Sequence, residues 1–309
     1  MLSDEKILIT GAGGQIGLPL AASLATDNEV WGVARFSQAG SREQLESHNV
    51  HAHRCDLAAG DYSTLPTDFT YVIHFAVFQG DGYDYDTAIR MNAEGTGLLL
   101  QHVRRAKAAL VMSTQSVYKV HADAGHVFPE SDALGDASPP HSPTYSVSKI
   151  AEEAVARTCA RAFDLPITIA RMNASYGPNG GLPAYHLDAV VAGQPVAARH
   201  DPAPYCPIHQ DDINAQIGPL LEAASVPATI VNWAGDEVVT VQEWSAYVGS
   251  LVGTTPQVNV EPVPGTSIGA IADVTRRRSI TGPCTVHWKD GMRAALADRH
   301  PEVAIRPQS

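Results

Sequence analysis

What the chain lacks narrows its identity first. No apolar run approaches the roughly 18–20 residues needed to cross a bilayer, so no membrane partner is expected. Clustered positive charge is missing too: the net charge is −12, and the longest block of like charge is Arg276-Arg277-Arg278. Affinity for nucleic acid comes largely from clustered Lys and Arg, so DNA and RNA are excluded as expected partners. The arginine triplet itself reads as a solvated face. Cysteine is scarce, and Cys55, Cys159, Cys206 and Cys284 stand far apart with no CxxC pair. That supports neither a zinc knuckle nor a disulfide framework. His48, His51 and His53 lie close together without the His and carboxylate spacing of a metal site. They read as loop and strand residues, and no metal is expected. The segment Met1 to Lys6 carries acids and enters a strand at once, unlike a signal peptide, so cytoplasm is the expected compartment.

What is present is a large α/β pattern. With 309 residues, 44% hydrophobic and 17% charged, the chain is long enough for one large domain or two lobes. Lys6 to Gly17 reads KILITGAGGQIG: a buried strand, a glycine turn at Gly11, Gly14 and Gly17, and a helix starting near Gln15. Such a turn lets backbone approach a pyrophosphate over a helix N-terminus. The spacing is GxxGxxG, with Ile16 where GxGxxG would need glycine. Alone this is a weak motif; between an apolar strand and a helix it marks a dinucleotide site.

Further strands follow at Glu29–Ala34, Val50–Arg54, Tyr71–Ala76 and Ala109–Met112, alternating with helical stretches at 16–25, 41–47 and 87–107. Near-continuous apolar strands alternating with helices predict a doubly wound parallel sheet of Rossmann type. The second strand ends at Arg35, where an acid would bind the ribose 2′-hydroxyl and an arginine accommodates a 2′-phosphate. Arg35 therefore favours NADP, otherwise NAD, the alternative being that Arg35 stacks on the adenine. Asp56 either accepts from the adenine amino group or caps the next short helix.

The chemistry-bearing group is Tyr145-Ser-Val-Ser-Lys149, which opens a long helix to about Phe163. Residues i and i+4 share one helix face, so the Lys149 ammonium would lie beside the Tyr145 phenol. A phenol near pKa 10 is too weak an acid for neutral pH, and a neighbouring cation brings it into range for proton transfer. A hydroxyl from Ser113-Thr-Gln-Ser116, after the fifth strand, would hold the substrate oxygen.

With these motifs in hand, the chain resembles the extended short-chain dehydrogenases/reductases, the epimerase/dehydratase-like branch. The resemblance covers nearly the whole length. It rests on Thr10-Gly11-x-x-Gly14-x-x-Gly17, Asp56-Leu57, His74-Phe-Ala76, Asn92-Ala-Glu-Gly-Thr96, Ser113-Thr-Gln-Ser-Val-Tyr118, Tyr145-x-x-x-Lys149, Arg171…Tyr176-Gly-Pro178, Ile208-His-Gln-Asp-Asp212, and Asn232 to Thr240 followed by Glu243. The resemblance implies Tyr145 as acid/base, Lys149 on the nicotinamide ribose, Thr114 on the substrate oxygen, and Asn92 either supporting the lysine or bonding backbone. It implies cofactor contacts from Gly11, Gly14, Gln15, Ile16, Gly17, Arg35, Asp56, Leu57, Phe75, Ala76, Val77, Ser113, Met172 and Asn173. Substrate contacts would come from Phe78, Gln79, Thr114, Ser116, Ala174, Tyr176 and His209, with Phe78 equally readable as plain core. It also implies a Rossmann domain over 1–178 with 205–235 returning to it, and a substrate-binding lobe from 179–204 and 236–309. A homodimer through a four-helix bundle of the helices near 88–106 and 145–163 is implied as well, with Ala93, Gly97, Ala151 and Ala154 as small packing residues. The tail from Pro301 reads as frayed.

Two departures bear on the substrate. Where the related sugar-nucleotide epimerases have Arg-Pro-x-Asn-Val-Tyr-Gly-Pro, this chain has Arg171-Met-Asn-Ala-Ser-Tyr-Gly-Pro178; the phosphate-facing Asn becomes Ala174. The arginine those enzymes carry before Ile-His is absent from Pro204-Tyr-Cys-Pro207, with Arg199 the nearest replacement. The sequence therefore favours net carbonyl–alcohol oxidoreduction on a small molecule. The alternative is a nucleotide-sugar epimerase or dehydratase with transiently reduced NAD, although a dehydratase would want an acid beside Thr114 where Gln115 stands. A third reading, a non-catalytic NADP sensor, has no need of the Thr114–Tyr145–Lys149 set.

Overall fold

The computed structural model describes residues 2–80, 82–135 and 137–306. Seven strands form its main sheet: β1 (Lys6–Thr10), β2 (Glu29–Ala34), β3 (His51–Arg54), β4 (Tyr71–His74), β5 (Ala108–Thr114), β6 (Ile167–Met172) and β7 (Thr229–Trp233). All pairings are parallel, in the order β7-β6-β5-β4-β1-β2-β3. The order reverses beside β1, which opens a crevice at the carboxyl ends of β1 and β4, where open α/β sheets bind ligands. This is the doubly wound Rossmann-like fold expected. Successive side chains of β1 point to opposite faces: Ile7 and Ile9 join one core with Leu20, Ile213 and Trp233, while Leu8 joins the other with Val72, Leu99 and Ala156.

The helices over the sheet include α1 (Gly17–Leu24), α2 (Ser41–Glu46), α3 (Tyr85–Ile89), α4 (Gly95–His102) and α5 (Tyr145–Phe163). The single helix expected over 87–107 is α3 and α4 joined through a π-helical turn, Arg90–Glu94. It stops at His102 because the chain must return to the sheet: Lys107 N donates to Thr70 O at 2.9 Å, one residue before β5. β5 itself runs two residues beyond Met112, since Ser113 and Thr114 pair with Arg171 and Met172 of β6. Both hydroxyl residues are thus fixed on the strand's carboxyl end.

A second hydrophobic core gathers α6 (Leu182–Val191), α8 (Val241–Val252) and α10 (Trp288–Arg299), with α7 (Gln210–Glu222) and α9 (Thr275–Thr281) placed against the sheet half. Its own strands are only two or three residues long, Val196–Ala198 pairing with Val258–Val260 and Pro204–Tyr205 with Val239–Thr240. Thr240 and Glu243 close a reciprocal capping box at the start of α8. Between α8 and α10 the chain revisits the sheet half, where Ile271–Ala272 pairs with Val127–Phe128 and α9 packs on α7 and β7.

Two expectations fail here. The arginine triplet is a solvated face only in part: Arg276 and Arg278 are exposed, but Arg277 is fully buried, paired with Asp236 and donating to Gly282 O at 2.8 Å. A buried guanidinium is tolerable only with such partners. The tail from Pro301 is not frayed over its described part, because Ile305 packs on the second core and Arg306 N donates to Leu251 O at 2.9 Å. Residues 307–309 lie outside the described residues. Among the described residues no helix is long and apolar enough to cross a membrane, and no His, Cys, Asp and Glu group could hold a metal ion.

Candidate active site

The glycine turn builds one wall of a cavity. Gly11 sits at φ +68°, and a Cβ there would lie 2.7 Å from Phe75 C and Ala76 N, so only glycine fits between β1 and β4. Gly14 N donates to Gly11 O at 2.9 Å, tightening the turn into α1. The cavity, about 480 Å³, runs from this turn past Arg35 and Asp56 to Leu57 and Phe75–Phe78. A glycine cradle at a helix N-terminus, extended by a strand-end cation, fits a dinucleotide. Ser37, Gln38, Ser41 and Met91 also line it. The sequence reading missed these four; Ser41, opening α2 just past Arg35, was the one with a positional signal. Asp56 is the cap of the short helix Leu57–Ala59, accepting from Ala58 N at 3.1 Å, and it also lines the cavity.

Gln15 and Ile16 are tied sideways. Gln15 Nε2 donates to Ser175 Oγ at 3.1 Å, and its Oε1 accepts from Tyr185 of α6 at 3.3 Å. The Ile16 carbonyl accepts from Gln210 Nε2 at 3.4 Å. The turn is therefore fastened to both the second core and α7.

Tyr145 begins α5 and Lys149 stands one turn later, buried, with its ammonium donating to Met112 O at 2.8 Å. That bond anchors α5 to the carboxyl end of β5, where Thr114 is buried and Ser116 exposed. Thr114 Oγ1 accepts from Ser116 N at 3.2 Å. Tyr145 is half-buried, and the next residue, Ser146, donates its hydroxyl to Ser116 O at 2.7 Å. Ser113, by contrast, points away: its hydroxyl donates to Glu153 at 2.6 Å, beneath the sheet edge.

Asn92 bonds backbone. Its Oδ1 accepts from Phe78 N at 2.7 Å, and its Nδ2 donates to Phe78 O at 2.9 Å and Ser148 Oγ at 2.9 Å. It thereby clamps the Phe75–Phe78 wall to α5 at Ser148, one residue before Lys149. The π-turn around Asn92 aims it there.

Several other predicted residues have their polar atoms engaged within the protein. Asn173 Oδ1 accepts from Ala174 N and Cys206 N, while its Nδ2 donates to Gln115 Oε1 and Ala270 O. Met172 and Ala174 are buried around it. Tyr176 belongs to the second core, its ring edge-on to His209 and its hydroxyl donating to Trp288 O at 3.4 Å. His209 caps α7 by accepting from Asp211 N, and burial lowers its pKa. Gln79 is exposed and Phe78 lines the cavity rather than the core.

A model of the NAD dependent epimerase/dehydratase family matches residues 7–199, which hold the glycine turn, Asn92, Thr114, Tyr145 and Lys149. The chain belongs to that family. Solved structures share its fold. The UDP-glucuronic acid 4-epimerase of Bacillus cereus, in complex with UDP-glucuronic acid and NAD, is 23% identical with a TM-score of 0.82, over 96% of this chain and 99% of that one. The UDP-glucose 4-epimerase of Thermotoga maritima with UDP-glucose is 20% identical with a TM-score of 0.81, over 96% and 99%. The UDP-N-acetylglucosamine 4-epimerase of Methanobrevibacter ruminantium with UDP-N-acetylmuramic acid is 18% identical with a TM-score of 0.83, over 98% and 100%. No curated protein matches the chain in sequence.

Proposed function

We propose that this chain is an enzyme that interconverts a secondary alcohol and a carbonyl on a small polar molecule, with Tyr145 as the proton-transfer group. The observation that carries this is the docking of the start of α5 on the end of β5, where Lys149 Nζ bonds Met112 O and Ser146 Oγ bonds Ser116 O, while Asn92 ties the Phe78 end of the dinucleotide cavity to Ser148 of the same helix. A bound nicotinamide nucleotide supplies the hydride acceptor and donor. Thr114 positions the reacting oxygen, Tyr145 takes or returns its proton, and Lys149 favours the phenolate form. Gln115, engaged with Asn173, offers no acid for a dehydration.

For the overall reaction, the family match and the epimerase folds support the cycle that was the alternative in the sequence: epimerisation of a nucleotide sugar, with oxidation and reduction in one visit. Arg199, half-buried and close enough to Tyr205 to offset part of the burial that raises the phenol's pKa, is the candidate replacement for the missing diphosphate arginine. A second reading, net reduction with diffusible NADPH, is favoured by Arg35 on the cavity wall. The reading further assigns a cytoplasmic homodimer. Its helix pair would use the exposed Leu98, Val147 and Ala154, because Ala93 is buried and Gly97 packs on Val155 within one chain.

The test is purified protein incubated with UDP-glucose, UDP-glucuronic acid and UDP-N-acetylglucosamine without added reductant, read by NMR for the 4-epimer. Epimer formation is expected. Stoichiometric NADPH consumption with ketones and no epimer would replace this cycle by the second reading.

A further inference from the structure

Two adjacent acids on α5 have different partners. Glu153 is spent on Arg171, with contacts at 2.7 and 2.8 Å, and on Ser113 at 2.6 Å. Glu152 is 1% exposed, and its one cation partner is Lys149, whose Nζ touches Glu152 Oε2. Its other oxygen lies 3.7 Å from His74 Nε2. His74 does not donate to it, because Nδ1 bonds Thr10 Oγ1 at 2.6 Å and Nε2 bonds Thr96 Oγ1 at 2.7 Å. Apart from the ion pair, neither Glu152 oxygen has a hydrogen-bond partner among the described residues. A buried ion pair so poorly served is costly, and two apolar side chains in place of Lys149 and Glu152 would pack α5 at less expense.

We propose that Glu152 is a positioning residue for the proton-transfer step. With the Met112 carbonyl it holds Lys149 Nζ against the end of β5, and its charge offsets the ammonium, setting how strongly Lys149 favours the Tyr145 phenolate. The inference rests on the assignment of Tyr145 above. The charged and titratable groups facing Glu152 are Lys149 and Glu153 from α5 and His74 from β4. Burial holds His74 down to about 3, so the imidazole is neutral and, among the described residues, Lys149 is the positive charge facing Glu152. Burial also raises Glu152 to about 7, with Lys149 pulling the other way. At the alkaline pH where phenols titrate, Glu152 is therefore ionised and the offset is fully present.

The experiment is an ultraviolet titration of tyrosine ionisation in the full chain and in Glu152→Gln, each with and without Tyr145→Phe. The difference within each pair isolates Tyr145. Unmasking Lys149 is expected to lower the Tyr145 pKa by about 1 unit, whereas Glu152→Asp, which keeps the charge, should restore the parent value. An unchanged or upward shift in Glu152→Gln would overturn the proposal. If Glu152→Gln does not fold, the double variant Lys149→Met/Glu152→Gln decides by its thermal midpoint. Recovery is expected, since no lone buried cation remains; a double variant as unstable as the single would make Glu152 a packing residue only. Failure of the Tyr145 assignment shows separately, as turnover retained by Tyr145→Phe.

Discussion

The sheet half and the second core solve the same packing problem by different means. In the sheet half, seven paired strands supply regular backbone bonding, and a cluster of buried polar groups sits at the carboxyl edge, where Thr10, His74, Thr96, Lys149 and Glu152 meet. The second core has strands of two or three residues and relies on three helices around Trp244, Leu187 and Met292. Its perimeter is fastened by ion pairs such as Asp188 with Arg299 and His300. One half is organised by periodicity along the chain, the other by contacts between distant segments. Damage should therefore separate cleanly: core lesions in the second half should cost stability, and lesions at the sheet's edge should alter titration and ligand choice.

The largest effect is expected from Trp244→Ala. The indole is 1% exposed and its Nε1 donates to His186 Nδ1 at 3.2 Å. Truncation should cost about 3–5 kcal/mol in chemical denaturation. Nucleotide binding under native conditions should persist, and its loss would show that the halves are not separable.

A smaller effect is expected at the sheet's edge. His74 is buried and held down to about 3, so below the ordinary histidine range the unfolded chain takes up a proton that the native state refuses. The contribution is constant above about pH 6.5 and is lost as pH falls from there toward 3. Relative to His74→Asn, the parent should lose about 1–2 kcal/mol between pH 6.5 and 5, measured by denaturation at both values. Parallel pH curves would place the titration elsewhere.

The smallest effect concerns ligand choice. Arg35→Asp should shift the ratio of NADP(H) to NAD(H) affinity by about tenfold or more toward NAD(H), from loss of one charge-assisted contact. Tryptophan fluorescence can follow both titrations, because Trp233 packs on Phe75 of the cavity wall with ring centroids 6.1 Å apart. An unchanged ratio would assign Arg35 to packing.

The same contrast explains what the sequence disclosed. The apolar runs of β1, β2 and β4 and the Tyr145–Lys149 spacing are local patterns, and local patterns survive folding. The π-turn at Arg90–Glu94, which carries the Asn92 that clamps Phe78, has no such pattern. Arg277 looked solvated beside Arg276 and Arg278; only the return of α9 to the sheet, 41 residues after Asp236, buries it. Asn173 seemed available to a ligand until Cys206 and Ala270 arrived from distant segments to occupy it. Glu152 was indistinguishable from its neighbour Glu153, because helical periodicity does not say which carboxylate meets the lysine.

The most direct measurement is turnover of Tyr145→Phe on whichever substrate the nucleotide-sugar panel yields, with nucleotide binding measured in parallel. A loss of about 10²–10⁴-fold in turnover is expected, with binding intact. Turnover near the parent level, with nucleotide still bound, would contradict it.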